Sequence, residues 1–398
     1  MRVGFVVINP LSVTLGFSLR PYQLIRHLAK MGVEVHLITP FWESLELRGV
    51  RCHKMNPSLL NTKLTEIQYR FMRLLVKSRV AAQHFMYNPK VLEMVVERLG
   101  KSITRVLEKV NLDVVQAEQD VVAAALARIK DDVGIPVVAD ILDLWADEEV
   151  LAGRIERGST AYAALLAVTR EAVHGSDIVL VGNEFVKESL VREVGASPSK
   201  IRIVPNGGEV LDGVDSGGRV DLVVYAGNFE KYENVELFIE SIPHVLKQRP
   251  QTGIAIMGQG PEELRLMRLA RKLKVPLSVF KGFVPRRRLL RILARAKVGA
   301  VPTKKFYATP LKPFEYMSTG LPVVAIRGTW WGDLIEDAGA GIAVEYDSVE
   351  FADGVLKLLD SEDWDSYSSR ALKLVREKYN WDVIGRELLE VYRGLAGR

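Results

Sequence analysis

The stretch "DLVVYAGNFEKYENVELFIESIPHVLKQRPQTGIAIMG", Asp221 to Gly258, reads as a strand, a helix and a second strand. "DLVVYAG" is a short apolar run that ends in glycine. "NVELFIESIPHVLKQ", Asn234 to Gln248, carries apolar residues at helical spacing, with Pro243 as an expected kink. "TGIAIMG", Thr252 to Gly258, repeats the apolar run with its terminal glycine. Strands joined through a helix are parallel, and strands without polar alternation are covered on both faces.

The same pattern extends both ways. Downstream, "PEELRLMRLARKL" predicts a helix with Pro261 in its first turn, and "LSVFKG", "VGAVPT" and "LPVVAI" supply further strands. Upstream, the chain opens with a strand pattern at Val3 to Ile8, a helix around Pro21 to Met31, Gly32 as its cap, and a strand at Val35 to Thr39. Apolar runs at Asp113 to Gln116, Pro136 to Asp140 and Ile178 to Val181 follow, separated by helical patterns. The polar, glycine-rich "VLDGVDSGGR" around Leu211 to Arg219 suits a linker or surface loop. At 398 residues the chain is too long for one core of ordinary size. The expected architecture is α/β, with two doubly wound Rossmann-like domains in tandem. Ligands in such sheets bind beyond the carboxyl ends of the strands, which makes the cleft between the domains the expected active site.

Composition narrows the function classes. With 48% hydrophobic and 26% charged residues, the chain is an ordinary globular one. The single Cys52 excludes an intramolecular disulfide and a multi-cysteine zinc site, and it fits a reducing compartment. "MRVGFVVINP" is too short for a signal sequence, and no run of about 18 apolar residues exists, so a cytoplasmic protein is expected. The net charge of +5 suits an anionic small molecule, a membrane surface or nucleic acid, and chooses none of them.

Three strands of the second half end in glycine, at Gly227, Gly258 and Gly282, and "GQGP" runs from Gly258 through Gly260 into a helix. Such glycines admit a diphosphate to the backbone and to a helix N-terminus; they equally serve a tight strand-to-helix turn. Asn228 and Lys231 follow Gly227, and Lys231 is either a phosphate cation or an exposed loop lysine. In "TPLKPFEYMSTGLPVVA", Thr309 to Ala325, the backbone of Thr309, Pro310 and Leu311 precedes a helix, with Lys312 as a point charge. Glu315 suits a bidentate acceptor for two sugar hydroxyls. The alternative is a surface salt bridge between Lys312 and Glu315 at i,i+3.

"PLKPFEYMSTGLPVVA" resembles the donor motif of retaining glycosyltransferases of the GT-B fold, family 4 (glycosyl transferases group 1). In order along the chain, "RPYQLIRHLAKMGVEVHLIT", "SDIVLVGNEFVKESLVREVGASPSKIRIVPNGGEV", "YAGNFEKYENVELFIESI", "GQGPEELRLMRLARKL", "GFVPRRRLLRILARAKVGAVPT" and "YNWDVIGRELLEVYRGLAG" are similar to that family's other landmarks. The resemblance implies an acceptor-binding domain at 1–205, a nucleotide-sugar-binding domain at 206–378, and a last helix at 379–398 that packs back on the first domain. It implies that Glu315 binds the ribose hydroxyls, and that Lys312 with Thr309, Pro310 and Leu311 faces the diphosphate or the donor sugar. Phe283 and Val284 would line the base, and Gly16 would approach the phosphates across the cleft.

Some positions depart from the commonest pattern. Asn228 and Glu233 stand where many members have an arginine and a lysine, although "GNFEKYEN" and "DILDLW" (Asp140 to Trp145) resemble a sub-branch that makes surface polysaccharides. Tyr307 replaces an acid eight residues before Glu315, Leu142 stands beside Asp143 where relatives carry a histidine, and a two-glycine loop is reduced to Gly16.

The implied reaction is hexosyltransferase-type. It moves a sugar from a nucleoside-diphosphate sugar to a hydroxyl acceptor, lipid-linked or a polysaccharide precursor, with retention of configuration and without metal or cofactor. Lys231, Lys312 and the helix start after Gly260 would stabilise the leaving diphosphate. Asp143 would position the acceptor hydroxyl or the donor sugar; the alternative is an aspartate capping a helix from Leu144 onward. Residues 61–110 hold ten basic and four acidic side chains, which suits either an anionic membrane surface or a helix packed on the sheet with a solvated basic face. The second basic run, "PRRRLLRILARAK" (Pro285 to Lys297), reads as surface. A nucleic-acid partner is not expected, because no nucleic-acid-binding motif accompanies the charge. The competing reading is a catalytically degenerate nucleotide-sugar-binding or scaffold protein of polysaccharide assembly, which Leu142 and Tyr307 would mark.

Overall fold

The computed structural model describes residues 1–9, 11, 16–40, 47–55, 87–210, 218–305 and 308–397, with residues 16 and 17 described for their backbone alone. The chain divides into two compact units, Met1–Pro205 with Gly385–Arg398, and Asn206–Ile384. The helix Trp381–Ala396 therefore starts in the second unit and finishes in the first.

The first unit holds a parallel sheet of β1 (Arg2–Val6), β2 (Glu34–Thr39), β3 (Val50–Lys54), β4 (Val114–Glu118), β5 (Val137–Asp140), β6 (Ile178–Val181) and β7 (Ile201–Ile203). Its order is β3-β2-β1-β4-β5-β6-β7, so the winding reverses between β1 and β4. The central strands are buried because Val, Ile, Leu and Ala occupy both faces. The first helix runs from Gly16 to Lys30 with Pro21 inside it, starting earlier than the proline suggests. The helix Pro89–Leu107 buries Leu92, Val96, Leu99 and Ile103 and packs against Asp120–Val133. The latter also packs against Thr160–Gly175, so close that a Cβ on Gly175 would lie 2.3 Å from Ala127 Cβ.

The second unit holds β8 (Leu222–Ala226), β9 (Gly253–Met257), β10 (Phe280–Gly282), β11 (Val298–Val301), β12 (Val323–Ile326) and β13 (Gly341–Val344). These strands are also parallel, in the order β10-β9-β8-β11-β12-β13, with the reversal between β8 and β11. Residues along each strand alternate between two cores. Val223, Tyr225, Ile256, Val324 and Ile326 face the core beneath the helices Val235–Gln248 and Ser348–Leu359. Val224, Ala226, Met257, Val323 and Ala325 face the one beneath Arg286–Arg295, Lys312–Met317 and Trp330–Asp337.

Two helix boundaries differ from the sequence reading. The helix after Gly260 runs from Glu263 to Lys272, so Pro261 sits in the preceding turn and Glu262 at the cap. The helix after Asp143 starts at Trp145, and its cap residue is Leu144 with no side-chain cap bond. Among the described residues no helix is long and apolar enough to cross a membrane.

Candidate functional site

The reversal between β8 and β11 marks where a doubly wound sheet opens a crevice at its carboxyl end. In the second unit, the segments that leave β8 and β11 meet there. The turn Lys231–Glu233 follows β8, and Thr303 follows β11. The short helix Lys312–Met317 brings in Lys312 and, one turn on, Glu315.

Lys312 and Glu315 do not pair with each other. Lys312 Nζ lies 2.6 Å from Glu233 Oε1, with both side chains 12% exposed. The hydroxyl of Thr303 donates to Glu233 Oε2 at 2.8 Å, so both carboxylate oxygens are engaged. Gly227 makes the space for this lysine, since a Cβ there would stand 2.0 Å from Lys312 Cε. The Tyr225 ring centroid is 5.8 Å from Nζ. Burial, and then the Glu233 carboxylate, hold the Tyr225 phenol well above the usual range, and its hydroxyl donates to Asn228 O at 2.7 Å.

Glu315 is paired with Arg286, the first residue of its helix, whose Nη2 also lies 3.8 Å from Glu209 Oε2. This corrects the reading of "PRRRLLRILARAK" as surface. Arg286 shares a helix face with Leu290 and Leu293 at i,i+4 and i,i+7, and that face is buried; Arg287, Arg288, Arg291 and Arg295 are exposed. The i,i+7 spacing was visible in the sequence and is the signal that separates Arg286 from its neighbours. Glu233 carried a weaker signal, an acid at a position where a lysine was expected.

The remaining expected donor residues divide by environment. Thr309 is buried, and its carbonyl accepts from Asn206 Nδ2 at 2.6 Å; Trp330 Nε1 holds the carbonyl of Ala308 at 2.7 Å. Pro310 and Leu311 are half-buried, and proline brings no N–H. Phe283 is 48% exposed, whereas Val284 packs on the core. Asn228 and Lys231 are exposed.

Gly258 and Gly260 stand where two loops approach closely. Gly258 has φ 144°, and its Cβ would meet Gly227 O at 1.8 Å. A Cβ on Gly260 would meet the backbone of Phe229 at 2.6 to 2.7 Å. Phe229 N–H donates to Gln259 O at 3.1 Å and Glu262 N–H to Phe229 O at 3.0 Å, which locks the two loops together. The helix that follows opens on Glu262 and Glu263, acids that disfavour a diphosphate at its N-terminus. Lys312 stands on the neighbouring helix Lys312–Met317.

Asp143 and Gly16 belong to the first unit, Asp143 half-buried before the helix Trp145–Leu151 and Gly16 opening the first helix. Asp143 immediately precedes Leu144, the cap residue of that helix. Tyr307 lies outside the described residues, as do residues 61–86 of the basic stretch. The described remainder of that stretch, Pro89–Leu107, has its apolar face buried against a helix, in agreement with the packed-helix alternative.

The first unit also carries a buried polar cluster where β4 and β5 end. Arg20 grips Asp140 with Nε to Oδ2 at 2.9 Å and Nη2 to Oδ1 at 3.1 Å, and donates to the carbonyls of Val204 and Pro205, both at 2.9 Å. Gln116 Nε2 donates to Glu118 at 2.8 Å and to Asp140 at 3.2 Å, and its Oε1 accepts from Tyr392 of the last helix. Burial, and then the Asp140 charge, push the Glu118 carboxyl up to about 8. Among the described residues no group of three or more His, Cys, Asp or Glu could hold a metal ion.

Two doubly wound parallel domains are the architecture of GT-B glycosyltransferases. Residues 18–209 match the family described as Glycosyltransferase Family 4, and residues 220–361 the one described as Glycosyl transferases group 1. The chain belongs to these GT-B glycosyltransferases of group 1 and family 4.

A D-inositol 3-phosphate glycosyltransferase of Corynebacterium jeikeium is 23% identical over 249 residues, 57% of this chain and 59% of that protein. The chain thus spans under two thirds of the length of this curated relative. Among solved structures, sucrose-phosphate synthase from Thermosynechococcus elongatus aligns with TM-score 0.75 and 16% identity over 100% of this chain and 99% of that one. Anabaena HepE, in complex with UDP and glucose, aligns with TM-score 0.72 and 14% identity over 99% and 100%. These two likenesses establish the fold.

Proposed function

We propose that this protein transfers a hexose from a nucleoside-diphosphate sugar to a hydroxyl acceptor, with retention of anomeric configuration and without a metal. The observation that carries this reading is the pair Lys312 and Glu315, one turn apart on a helix beyond the β8 and β11 ends, each half-buried and each held by a partner of opposite charge. Glu315, paired with Arg286, offers its remaining lone pairs to two ribose hydroxyls. Lys312 meets the diphosphate. As the sugar–oxygen bond breaks, negative charge grows on the leaving phosphate, and a cation already in place lowers that barrier without reorganising. The backbone of Thr309 to Leu311 faces the diphosphate or the donor sugar, and Lys231 adds an exposed cation. Asp143 is assigned to positioning the acceptor hydroxyl or the donor sugar. The UDP and glucose described with HepE support a nucleoside-diphosphate hexose as the donor. The resemblance to the surface-polysaccharide sub-branch supports a lipid-linked or polysaccharide-precursor acceptor at the cytoplasmic side of a membrane.

A thermal-shift screen against nucleotide sugars, followed by release assays and NMR of the product anomer, tests this. One donor should raise the melting temperature by linkage and yield a product of unchanged configuration. Lys312→Ala and Glu315→Ala, still folded, should each cut turnover by about tenfold or more. If no nucleotide sugar shifts the melting temperature and none is turned over, the proposal fails.

A further inference from the structure

We infer that Glu233 is the positioning residue for Lys312, and that the two side chains serve a single cation position beyond β8. The inference rests on the reading of the second unit as a nucleoside-diphosphate site, and it names the device that fixes the charge there.

A lysine side chain has four rotatable carbons and a compact, strongly hydrated head, so it does not hold one place unaided. Here three neighbours constrain it. Gly227 leaves the stem room that any Cβ would fill at 2.0 Å from Cε. The Tyr225 ring flanks the ammonium at 5.8 Å. Glu233 Oε1 holds Nζ at 2.6 Å. Glu233 is itself fixed, because Thr303 donates to its other oxygen at 2.8 Å and to its carbonyl oxygen at 3.3 Å. Lys312 comes from the helix after β11, and Glu233 comes from the turn after β8. Their side chains meet from opposite sides of the strand reversal, and a lysine at 233, longer than the glutamate it would replace, is expected to carry its ammonium to that point.

The test relocates the lysine and measures affinity for UDP, GDP, ADP and dTDP by titration calorimetry. Lys312→Ala should weaken the nucleotide the wild type binds by about tenfold. Glu233→Lys combined with Lys312→Ala should recover most of that loss, and so should the full exchange, Glu233→Lys with Lys312→Glu. The alanine pair avoids any clash of like charges, so the test stands even if the full exchange fails to fold. A purely structural ion pair would return melting temperature in the full exchange without returning nucleotide affinity. A wild type that binds one of the four nucleotides, with relocated variants no better than Lys312→Ala, overturns this inference alone. A wild type that binds none of the four overturns the donor-site reading and this inference with it.

Discussion

Lys312 and Glu315 sit three residues apart, yet each is paired across the fold, with Glu233 and with Arg286. Sequence spacing states which residues share a helix face. It does not state which distant residue the fold brings opposite, and so both partners were hidden while the pair itself was legible. Gly227 was legible for a related reason, since a glycine at a buried strand end signals a close approach, and a Cβ there would meet the Lys312 stem. Gly227→Ala should displace Lys312 and weaken nucleotide binding by about tenfold or more, with the fold retained; calorimetry beside a thermal melt checks both. In the first unit, Glu118 titrates near 8 in the folded state, above its unfolded value, because burial and the Asp140 charge disfavour its ionised form. A raised folded value means that its stabilising effect is complete below the unfolded value and is lost as pH rises toward about 8. Glu118→Gln should therefore lose less melting temperature than the wild type between pH 5 and pH 8, and equal losses would contradict this assignment.

At the scale of elements, the central strands were plain in the sequence because both faces of each are covered and the residues are apolar throughout. The strands β3, β7 and β13 were not, and all three lie at sheet edges. β3 is half-exposed and reads "VRCHK", and β7 has three residues, two of them exposed, so neither leaves an apolar run to detect. Basic character misled in one place for the same reason. "PRRRLLRILARAK" has the composition of a surface helix, and four of its arginines are exposed, but helical periodicity turns Arg286 inward. Helix packing supplies a sharper test in the first unit. Gly175 touches Ala127 so closely that Gly175→Val must push two helices apart. The expected cost is about 1 to 3 kcal/mol, read as a lower midpoint in chemical denaturation with nucleotide binding per folded molecule unchanged.

At the scale of the molecule, each unit has its own sheet and its own core, and the last helix completes the first of them. Leu388, Leu389, Tyr392 and Leu395 are buried there, and Tyr392 bonds Gln116 of β4. Ending the chain after Ile384 should strip hydrogen-exchange protection from β1, β4 and β5 while β8 and β11 keep theirs; equal protection throughout would contradict this division. The tandem α/β plan was readable because the strand-helix-strand pattern restarts after residue 205. The proposed function requires the second unit to bind a nucleoside-diphosphate sugar through Lys312 and Glu315. Calorimetric titration of the best-bound nucleotide sugar into the wild type, Lys312→Ala and Glu315→Ala tests it most directly. Saturable binding to the wild type is expected, with about tenfold or greater loss in each folded variant. Equal affinity in all three proteins would contradict it.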